Sequence, residues 1–408
     1  MWHDPEVNFS DSVNLDAFAR LRISQPETIF DSKQIFDNLP LFWDDQEVSG
    51  SGTTSTYSKP KARTELAVSL NTAGKRVRQT FMRFNYQPGK SQLIIMTGVL
   101  GQGTSGICQE IGYFDDDNGV FFRCEGGVRS VVIKNSATGS AVDEQVIQAD
   151  WNLDKMDGLG RSKVLLDFSK TQIFFFDMEW LGVGRIRYGF FHNGMPIYCH
   201  EFLHSNNLEE VYMSTPNLPL RYSIENDGTG EVTILDQICS TVISEGGMTD
   251  LGVLRYSSTE ETPIQANSVG TVYAINAIRL KGTHLAATIK IKNMSLMNDT
   301  NDNFEWVLLL NPTVATPVTF SAITNSAIEF AVGNGGGGAS TSTLTGGTLI
   351  TGGVIKSSGS TGDITLKIDN ALRLGSTIDG TPDEIYLGVR PFSINANITG
   401  GMTWRELS

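Results

Sequence analysis

Short apolar runs, each ended by Gly, Asn, Asp or Ser, recur along most of this 408-residue chain. Asn118-Gly119 and Asn193-Gly194 stand between such runs, and Asn-Gly pairs reach positive φ readily, as tight hairpins require. Turn signals follow one another at roughly 8–12 residues, which leaves no room for crossover helices and favours antiparallel pairing. The sequence therefore predicts an all-β fold of tandem antiparallel β-sandwiches.

Composition divides the chain into three regions. Residues 1–50 carry aromatic residues without a strand or helix period, which predicts an extended N-terminal arm that covers either the protein's own core or a neighbouring subunit. The Ser/Thr/Gly-rich stretch 49–58 predicts a linker. Residues 60–245 predict the first sandwich. Residues 246–408 predict a second β-domain with a Gly/Ser/Thr-rich surface loop over 333–362.

Individual strands follow from β-branched and aromatic runs bounded by turn residues. In the first sandwich the predicted strands are 80–86, 92–100, 107–114, 120–123, 128–134, 164–168, 172–180, 185–191, 196–202, 220–224 and 233–242. In the second domain the clearest alternation lies at 288–292, 364–368 and 393–398. A last strand over 402–407 should place Trp404 in a core.

Charge argues against two classes of partner. The chain has 31 basic and 45 acidic residues, so its net charge is −14. Such a surface repels phosphate backbones and anionic lipids, and we expect neither nucleic acid nor a membrane as partner. The first residues lack a basic start and an apolar core, so no signal peptide is expected there. We expect a soluble protein made in a cytosol, whose charge keeps it soluble at high copy number.

Four cysteines, Cys108, Cys124, Cys199 and Cys239, are too few for a disulfide scaffold and form no CxxC pair. Buried free thiols are the simpler expectation. Cys108 and Cys124 flank one predicted hairpin, and the sequence leaves open whether these two pair.

The run His200-Glu201-Phe202-Leu203-His204 matches the HExxH signature of zinc hydrolases. That signature works on a helix, where residues i and i+4 lie about 6 Å apart on one face. The Asn193-Gly194 turn and Pro196 predict a strand instead, in which the two histidines lie about 13 Å apart. Two ligands at about 2 Å from one ion cannot span that distance. A zinc hydrolase is therefore the least favoured of the functions considered.

No other motif supplies catalytic, metal or cofactor-binding residues. The run 115–119 (DDDNG) predicts a solvated hairpin tip, because its Gly comes one position early for an EF-hand; calcium at a subunit edge stays open. The glycines at 98–103 and 158–160 are not followed by a P-loop lysine, and no GxSxG is present. Acidic pairs such as Asp154 and Asp157 exist, but none stands out as a glycosidase pair. We therefore predict no catalytic residue, no metal ligand and no cofactor, and a protein that is not an enzyme.

Longer strings within residues 18–245 resemble a family of bacteriophage virion proteins of mostly unassigned role. The strings are FARLRIS at 18–24, FDSKQ at 30–34, LPLFWDD at 39–45, IGYF at 111–114, NGVFF at 118–122, DWNLDKMDG at 150–158, LD at 166–167, TQI at 171–173, EWLGVGR at 179–185 and YMSTPNLP at 212–219. The resemblance implies a lectin-like or jelly-roll sandwich and a place in a virus particle. It brings no catalytic residues.

From this resemblance we expect a structural component of a phage virion, foremost a minor or decorating capsid protein acting through subunit contacts. The alternative is a tail-associated fibre or adhesin that binds host surface glycan. The expected partners are further copies of the chain, as a homotrimer, and virion proteins such as the major capsid protein, with assembly in the host cytoplasm. Exposed Trp or Tyr at loop tips would favour the adhesin, whereas flat apolar interfaces and an ordered arm would favour the capsid role. Head or tail stays open.

Overall fold

The computed structural model describes residues 23–260, 262–335, 339–356, 364–365, 373–393 and 396–407. Within these residues the chain consists of strands joined by turns, with two three-residue 3₁₀ turns at Lys59–Lys61 and Gln148–Asp150. No helix in this described part has the length and apolar character needed to cross a membrane. The prediction of an all-β fold is confirmed.

Within residues 23–245 the structure describes fifteen strands, which form two antiparallel sheets. They are β1 Glu27–Lys33, β2 Trp43–Gly50, β3 Thr53–Ser58, β4 Arg63–Val68, β5 Gly74–Thr80, β6 Gln92–Val99, β7 Ile107–Phe114, β8 Gly119–Glu125, β9 Val128–Asn135, β10 Val142–Ile147, β11 Gln172–Met178, β12 Ile186–His192, β13 Met195–Phe202, β14 Leu220–Asn226 and β15 Thr233–Ser244. The first sheet has the order β13-β12-β11-β6-β15-β4-β3, with β1 also paired to β15. The second sheet has the order β10-β9-β8-β7-β14-β5-β2.

The two sheets pack face to face through aromatic side chains. Phe122 on β8 of the second sheet contacts Phe174 and Phe190 of the first sheet, with ring centroids 5.3 and 4.8 Å apart. Tyr188 meets the same Phe122 ring edge-on at 5.6 Å, and its hydroxyl donates to the Val132 carbonyl across the core at 2.7 Å. Aromatic pairs of this kind add roughly 0.5–1.5 kcal/mol each beyond the area that they bury. The rings therefore fix both the spacing and the register of the sheets.

The predicted N-terminal arm is wrong for residues 27–50. These residues form β1, paired with β15, and β2, paired with β5. A register shift between Thr28 and Phe30 leaves both Ile29 and Phe30 buried, so the alternation that would reveal a strand is broken. Phe30 and Trp43 fill the protein's own core, one of the two alternatives left open by the sequence. The remainder of the predicted arm, residues 1–22, lies outside the described residues.

Three further predictions in this region need correction. The strand predicted at 80–86 is not formed, because β5 ends at Thr80 and residues 81–86 are irregular. The linker predicted over 49–58 is a strand in its second half. Residues 53–58 form β3, which pairs with β4 and whose Thr and Tyr residues favour a strand. The strand predicted at 164–168 is absent from the described chain except for one bridge between Asp157 and Leu165. The Asn193-Gly194 hairpin is confirmed: both residues have positive φ, 50° and 78°, and they join β12 to β13 directly.

Residues after 250 form two further antiparallel sheets. Their strands are β16 Val253–Ser258, β17 Ile264–Ala266, β18 Val272–Leu280, β19 Thr288–Asn298, β20 Phe304–Leu310, β21 Thr313–Val314, β22 Ser321–Ala322, β23 Ile328–Val332, β24 Thr343–Thr345, β25 Thr348–Ile355, β26 Ile364–Thr365, β27 Glu384–Pro391 and β28 Ala396–Leu407. The third sheet has the order β16-β28-β19-β26, with β17 on β28. The fourth sheet centres on β24-β18-β27-β20-β25. Trp404 is fully buried in their shared core, as predicted.

The surface loop predicted over 333–362 is wrong where the structure describes it. Residues 343–345 and 348–355 form β24 and β25, which pair with β18 and β20. Gly346 and Gly347, with φ of 65° and 74°, make the tight turn between them. Gly353 passes over the Trp306 indole, where a Cβ atom would lie 2.8 Å from Nε1. Threonine supplies strand propensity and glycine the close approach, so the composition that suggested a loop encodes two strands of the fourth sheet that do not pair with each other. Residues 336–338 and 357–363 lie outside the described residues.

Residues 374–378 attach the second half of the chain to the first sandwich. The Ser376 N–H donates to the Phe81 carbonyl at 3.0 Å, and the Ile378 N–H donates to Asp44 Oδ2 at 2.7 Å. Gly375 is packed so closely on the Phe81 carbonyl that a Cβ atom would overlap it. The two halves are therefore joined at this segment as well as through the connecting chain.

Candidate functional site

A groove of about 840 Å³ lies beside β13, the strand at the end of the first sheet. One wall is the loop 153–164, and the other is the β12–β13 hairpin around residues 192–201. On β11, Phe174 and Phe176 point into the core, so Phe175 and Asp177 project from the opposite, outer face of the sheet. We call the space between these walls the groove.

The floor beside the groove is aromatic. The Phe175 ring is buried under Phe191 and Tyr198, with centroid distances of 4.9 and 5.1 Å. Gly189 lies opposite Phe175, and a Cβ atom there would overlap the Phe175 ring. The glycine therefore makes the room in which Phe175 supports Tyr198.

Tyr198 is held in place by a charged pair. The Arg187 guanidinium lies 4.1 Å from the centre of the Tyr198 ring and also pairs with the Asp177 carboxylate. The Tyr198 hydroxyl donates to Asp177 Oδ2 at 3.2 Å. Burial, together with the negative charge of Asp177, raises the pKa of Tyr198 above its ordinary value. Tyr198 therefore offers a fixed ring and a protonated hydroxyl at the groove.

Asp154 organises the loop wall. Its buried carboxylate accepts hydrogen bonds from the N–H groups of Met156 at 2.8 Å and Ser162 at 2.6 Å. Burial alone would raise the pKa of Asp154, but these hydrogen bonds outweigh burial and lower it. Gly160 packs directly on the carboxylate, where a Cβ atom would overlap Oδ1. The shape of the wall thus depends on Asp154 and on the absence of a side chain at Gly160.

A second recess, of about 270 Å³, lies on the other side of Arg187. It is lined by Asp177 and Glu179, which stand two residues apart and so share the outer face, with Cα atoms roughly 6.6 Å apart. The Glu179 N–H bonds the Arg185 carbonyl at 2.9 Å, which continues the strand pairing past the end of β11. Asp177 and Glu179 therefore border this recess from one side, and neither of them lines the groove.

Sequence reasoning named Asp154 only as a member of an acidic pair that did not stand out, and it singled out none of Asp177, Arg187 and Tyr198. Asp177, Arg187 and Tyr198 lie on three strands and become neighbours only through the pairing of β11, β12 and β13. The Asn193-Gly194 turn predicted that β12 and β13 pair, but the bulge after Tyr188 decides which side chains share a face. Turn signals and alternation alone could therefore not predict the site.

The HExxH run lies on β13 and just after it. The rings of His200 and Phe202 have centroids 4.6 Å apart, and those of Phe202 and His204 are 6.3 Å apart. His200 Nδ1 accepts the Asn152 N–H at 3.2 Å, while His204 stacks on Tyr212 at 4.2 Å. A phenylalanine ring next to both imidazoles on one strand does not fit the shared metal of a helical HExxH site.

Two other sequence motifs have structural partners. At the hairpin tip Asp115 Oδ1 accepts the Asn118 N–H at 2.8 Å, and the Asp115 and Asp116 carboxylates pair with Arg83 and Arg221. All four cysteines are free thiols. Gln109, and not Cys108, stands opposite Cys124, so the side chains of Cys108 and Cys124 leave opposite faces of the sheet.

No protein family model matches the chain, and no curated protein matches it. Solved structures of similar fold include a Bacillus licheniformis beta-glucanase, at 10% identity and TM-score 0.36, which covers 52% of this chain and 96% of that one. The CBM2 module of the evolved Dit of Lactobacillus casei BL23 phage J-1 has 9% identity and TM-score 0.35, over 56% of this chain and all (100%) of that module. A legume lectin-like domain from Entamoeba histolytica has 9% identity and TM-score 0.31, over 54% and 98%.

These likenesses concern the fold alone, which is a lectin-like, jelly-roll type of β-sandwich. They correct one prediction. We expected a protein that is not an enzyme, yet the structures of similar fold include several glucan-hydrolysing enzymes, among them one from Bacteroides ovatus. The prediction is withdrawn, because it equated the lack of a sequence motif with the lack of activity, while sandwich folds carry chemistry on side chains that strand pairing assembles.

Because the His200 side chain is buried, we expect the stability of the folded chain to depend on pH. Burial lowers the pKa of His200 to about 4 from an ordinary 6.5, so between these values the unfolded chain binds a proton that the folded chain does not. Stability must therefore fall as the pH falls through this window. Asp236, whose pKa burial raises to about 6, acts in the opposite direction. The two effects are separated by mutation.

We expect the melting temperature to fall less between about pH 7 and about pH 5 in His200→Gln than in the wild type. Glutamine still accepts the Asn152 N–H but takes up no proton. His284→Gln, at an exposed histidine, should retain the wild-type fall. Scanning calorimetry at matched ionic strength measures the difference, and identical curves for wild type and His200→Gln would show that His200 is not buried in its neutral form.

Proposed function

We propose that the chain is a virion component whose first sandwich binds carbohydrate in the groove. The observation that carries this is the fixed Tyr198 ring beside a concave space lined by Ser162, His192 and Asn193. Sugars present apolar C–H faces together with hydroxyl groups, so an aromatic ring next to hydrogen-bonding side chains suits both parts. The groove volume of about 840 Å³ lies within the usual range of ligand sites.

Two features support the tail-associated adhesin over the decorating capsid protein. The groove is concave, whereas a decorating protein needs a flat apolar contact surface. β1 and β2, which come from the described part of the expected arm, are paired within the sandwich itself and do not extend towards a neighbour. The place in a particle rests on the resemblance to phage virion proteins.

Edge strand β16 supports assembly with further copies of the chain. Among the described strands it pairs only with β28, so its other edge carries free backbone groups. Its side chains Val253, Leu254 and Tyr256 are more than half exposed, as is Leu251 just before it. A long apolar edge invites pairing with the same strand of a second copy. The homotrimer stays a prediction.

Glycoside hydrolysis is a second candidate function, favoured by Asp177 and Glu179. Glycosidases use two carboxyl groups on either side of the scissile bond, roughly 5–9.5 Å apart. The Cα atoms of these two residues lie roughly 6.6 Å apart along one strand, and both residues line the recess beside the groove. Arg187 pairs with the Asp177 carboxylate, so the two carboxyl groups have different surroundings.

Carbohydrate binding is tested with the purified chain on a glycan array. We expect specific retention that Gly160→Ala lowers by roughly tenfold or more, because the added Cβ displaces Asp154 and with it the groove wall. Gly282→Ala is the matched control, since a Cβ there meets nothing within 4 Å, and should bind as the wild type does. Hydrolysis is distinguished from binding alone by measuring the new reducing ends released from each retained glycan, by the wild type and by Asp177→Asn. Equal binding by both glycine variants would rule out the groove.

The place in the particle is tested by antibody labelling of intact virions. Because the proposal is an adhesin, we expect gold particles at the tail and not over the head. Label on the head would favour the decorating capsid protein instead, and unlabelled, intact particles would remove both.

Assembly through β16 is tested by Leu254→Lys. We expect the molar mass in solution to drop to that of the single chain, because a buried lysine at the edge opposes pairing. Leu254 is 54% exposed in the single chain, and Leu70→Lys, at a leucine that is 56% exposed in the first sandwich, is the matched control. Light scattering after size exclusion reports the mass. If both variants keep the wild-type mass, β16 is not the interface.

A further inference from the structure

Arg161 is the one groove-lining cation that has no partner in the described part of the chain. It is exposed on the loop wall and makes no hydrogen bond or ion pair with any described residue. By contrast, Arg187 in the same groove is bound to Asp177 and lies on the Tyr198 ring. Lys163, two residues further on, donates to the Leu159 carbonyl at 3.2 Å. Arg161 therefore offers its full hydrogen-bonding capacity to a ligand.

The acidic groups of the groove are already bound. Asp154 is buried and accepts two backbone N–H groups within its own loop. Glu201 lies 3.7 Å from Arg185. An incoming negative group thus meets one free guanidinium, while both carboxylates that line the groove have partners.

The backbone at Arg161 is fixed on both sides. Gly160 packs on the Asp154 carboxylate, and the Ser162 N–H donates to it at 2.6 Å. A guanidinium is charged at every accessible pH and presents a planar fork that matches carboxylate and phosphate oxygens. The wall therefore presents a cation whose backbone is held in place, even though the chain as a whole has a net charge of −14. Screening over about 8–10 Å at physiological salt lets this local charge decide what the groove accepts.

We infer that the groove selects glycans that carry an oxyanion group, a carboxylate or a phosphodiester, and that Arg161 is the residue that pairs with it. This inference rests on the proposed carbohydrate binding and names its ligand class. The sugar ring packs against Tyr198, while the oxyanion accepts two parallel hydrogen bonds from the Arg161 fork. Neutral glycans of the same backbone retain only the ring contact.

The test is an array that carries uronic-acid, sialylated and phosphodiester-bearing glycans, each beside its methyl-esterified, desialylated or dephosphorylated counterpart. We expect the anionic members to be retained at least tenfold more strongly than their neutral counterparts, and increasingly so at low ionic strength. The carboxylate and phosphodiester sets distinguish the two sources of the oxyanion.

Variants assign the effect to one residue. Arg161→Gln should lower binding of anionic glycans roughly tenfold and leave neutral glycans within about twofold. Arg161→Lys should bind anionic glycans more strongly than Arg161→Gln and more weakly than the wild type, since a lysine keeps the charge without the planar fork. Glu201→Gln should act in the opposite direction and strengthen anionic binding. Lys170→Gln, at an exposed cation that does not line the groove, is the matched control and should change nothing.

The outcomes separate this inference from the proposed function. Retention of neutral and anionic glycans to the same extent, or an Arg161→Gln variant that binds as the wild type does, would overturn the anionic selectivity and leave carbohydrate binding intact. An array without any retained glycan would overturn both.

Discussion

Aromatic packing across the first sandwich is the interaction on which the rest of the structure depends. Phe122 of the second sheet is enclosed by rings from β11 and β12, so the two sheets are fixed at one separation and in one register. The same strand β11 serves both sides of its sheet: Phe174 and Phe176 fill the core, while Phe175 between them supports Tyr198 outside. The groove therefore inherits its geometry from the core behind it.

Strands between explicit turns could be predicted well from the sequence. β7 was predicted at its observed bounds, because the turn at 115–118 ends it sharply. Its partners are β8, the next strand of the same hairpin, and β14. Predictions failed where alternation is interrupted. The register shift after Thr28 hid β1, and Gly-rich composition hid β25, whose glycines make room for Trp306. In both cases a local packing demand replaced the in–out pattern.

The candidate site shows why function was harder to predict than fold. The His200–His204 run lies on a strand as far as Phe202, as predicted, and the alternation that turns His200 inward turns Glu201 out into the groove. The loop wall depends on one buried carboxylate, Asp154, whose hydrogen bonds have no signature in a single sequence. Asp154 lies within DWNLDKMDG, the longest string that carries the resemblance to virion proteins. This string is the sequence feature that could have drawn attention to the loop wall.

The attachment at residues 374–378 has a mechanical consequence. A chain that merely ran from one sandwich into the next would leave a hinge near residue 250, about which the halves could swing. Here the Ser376 and Ile378 N–H groups donate hydrogen bonds to the Phe81 carbonyl and the Asp44 carboxylate. Force applied at one end is therefore shared between this attachment and the connecting chain. When the C-terminal half is fixed to a support, the groove on the first sandwich therefore keeps a constant orientation relative to that half.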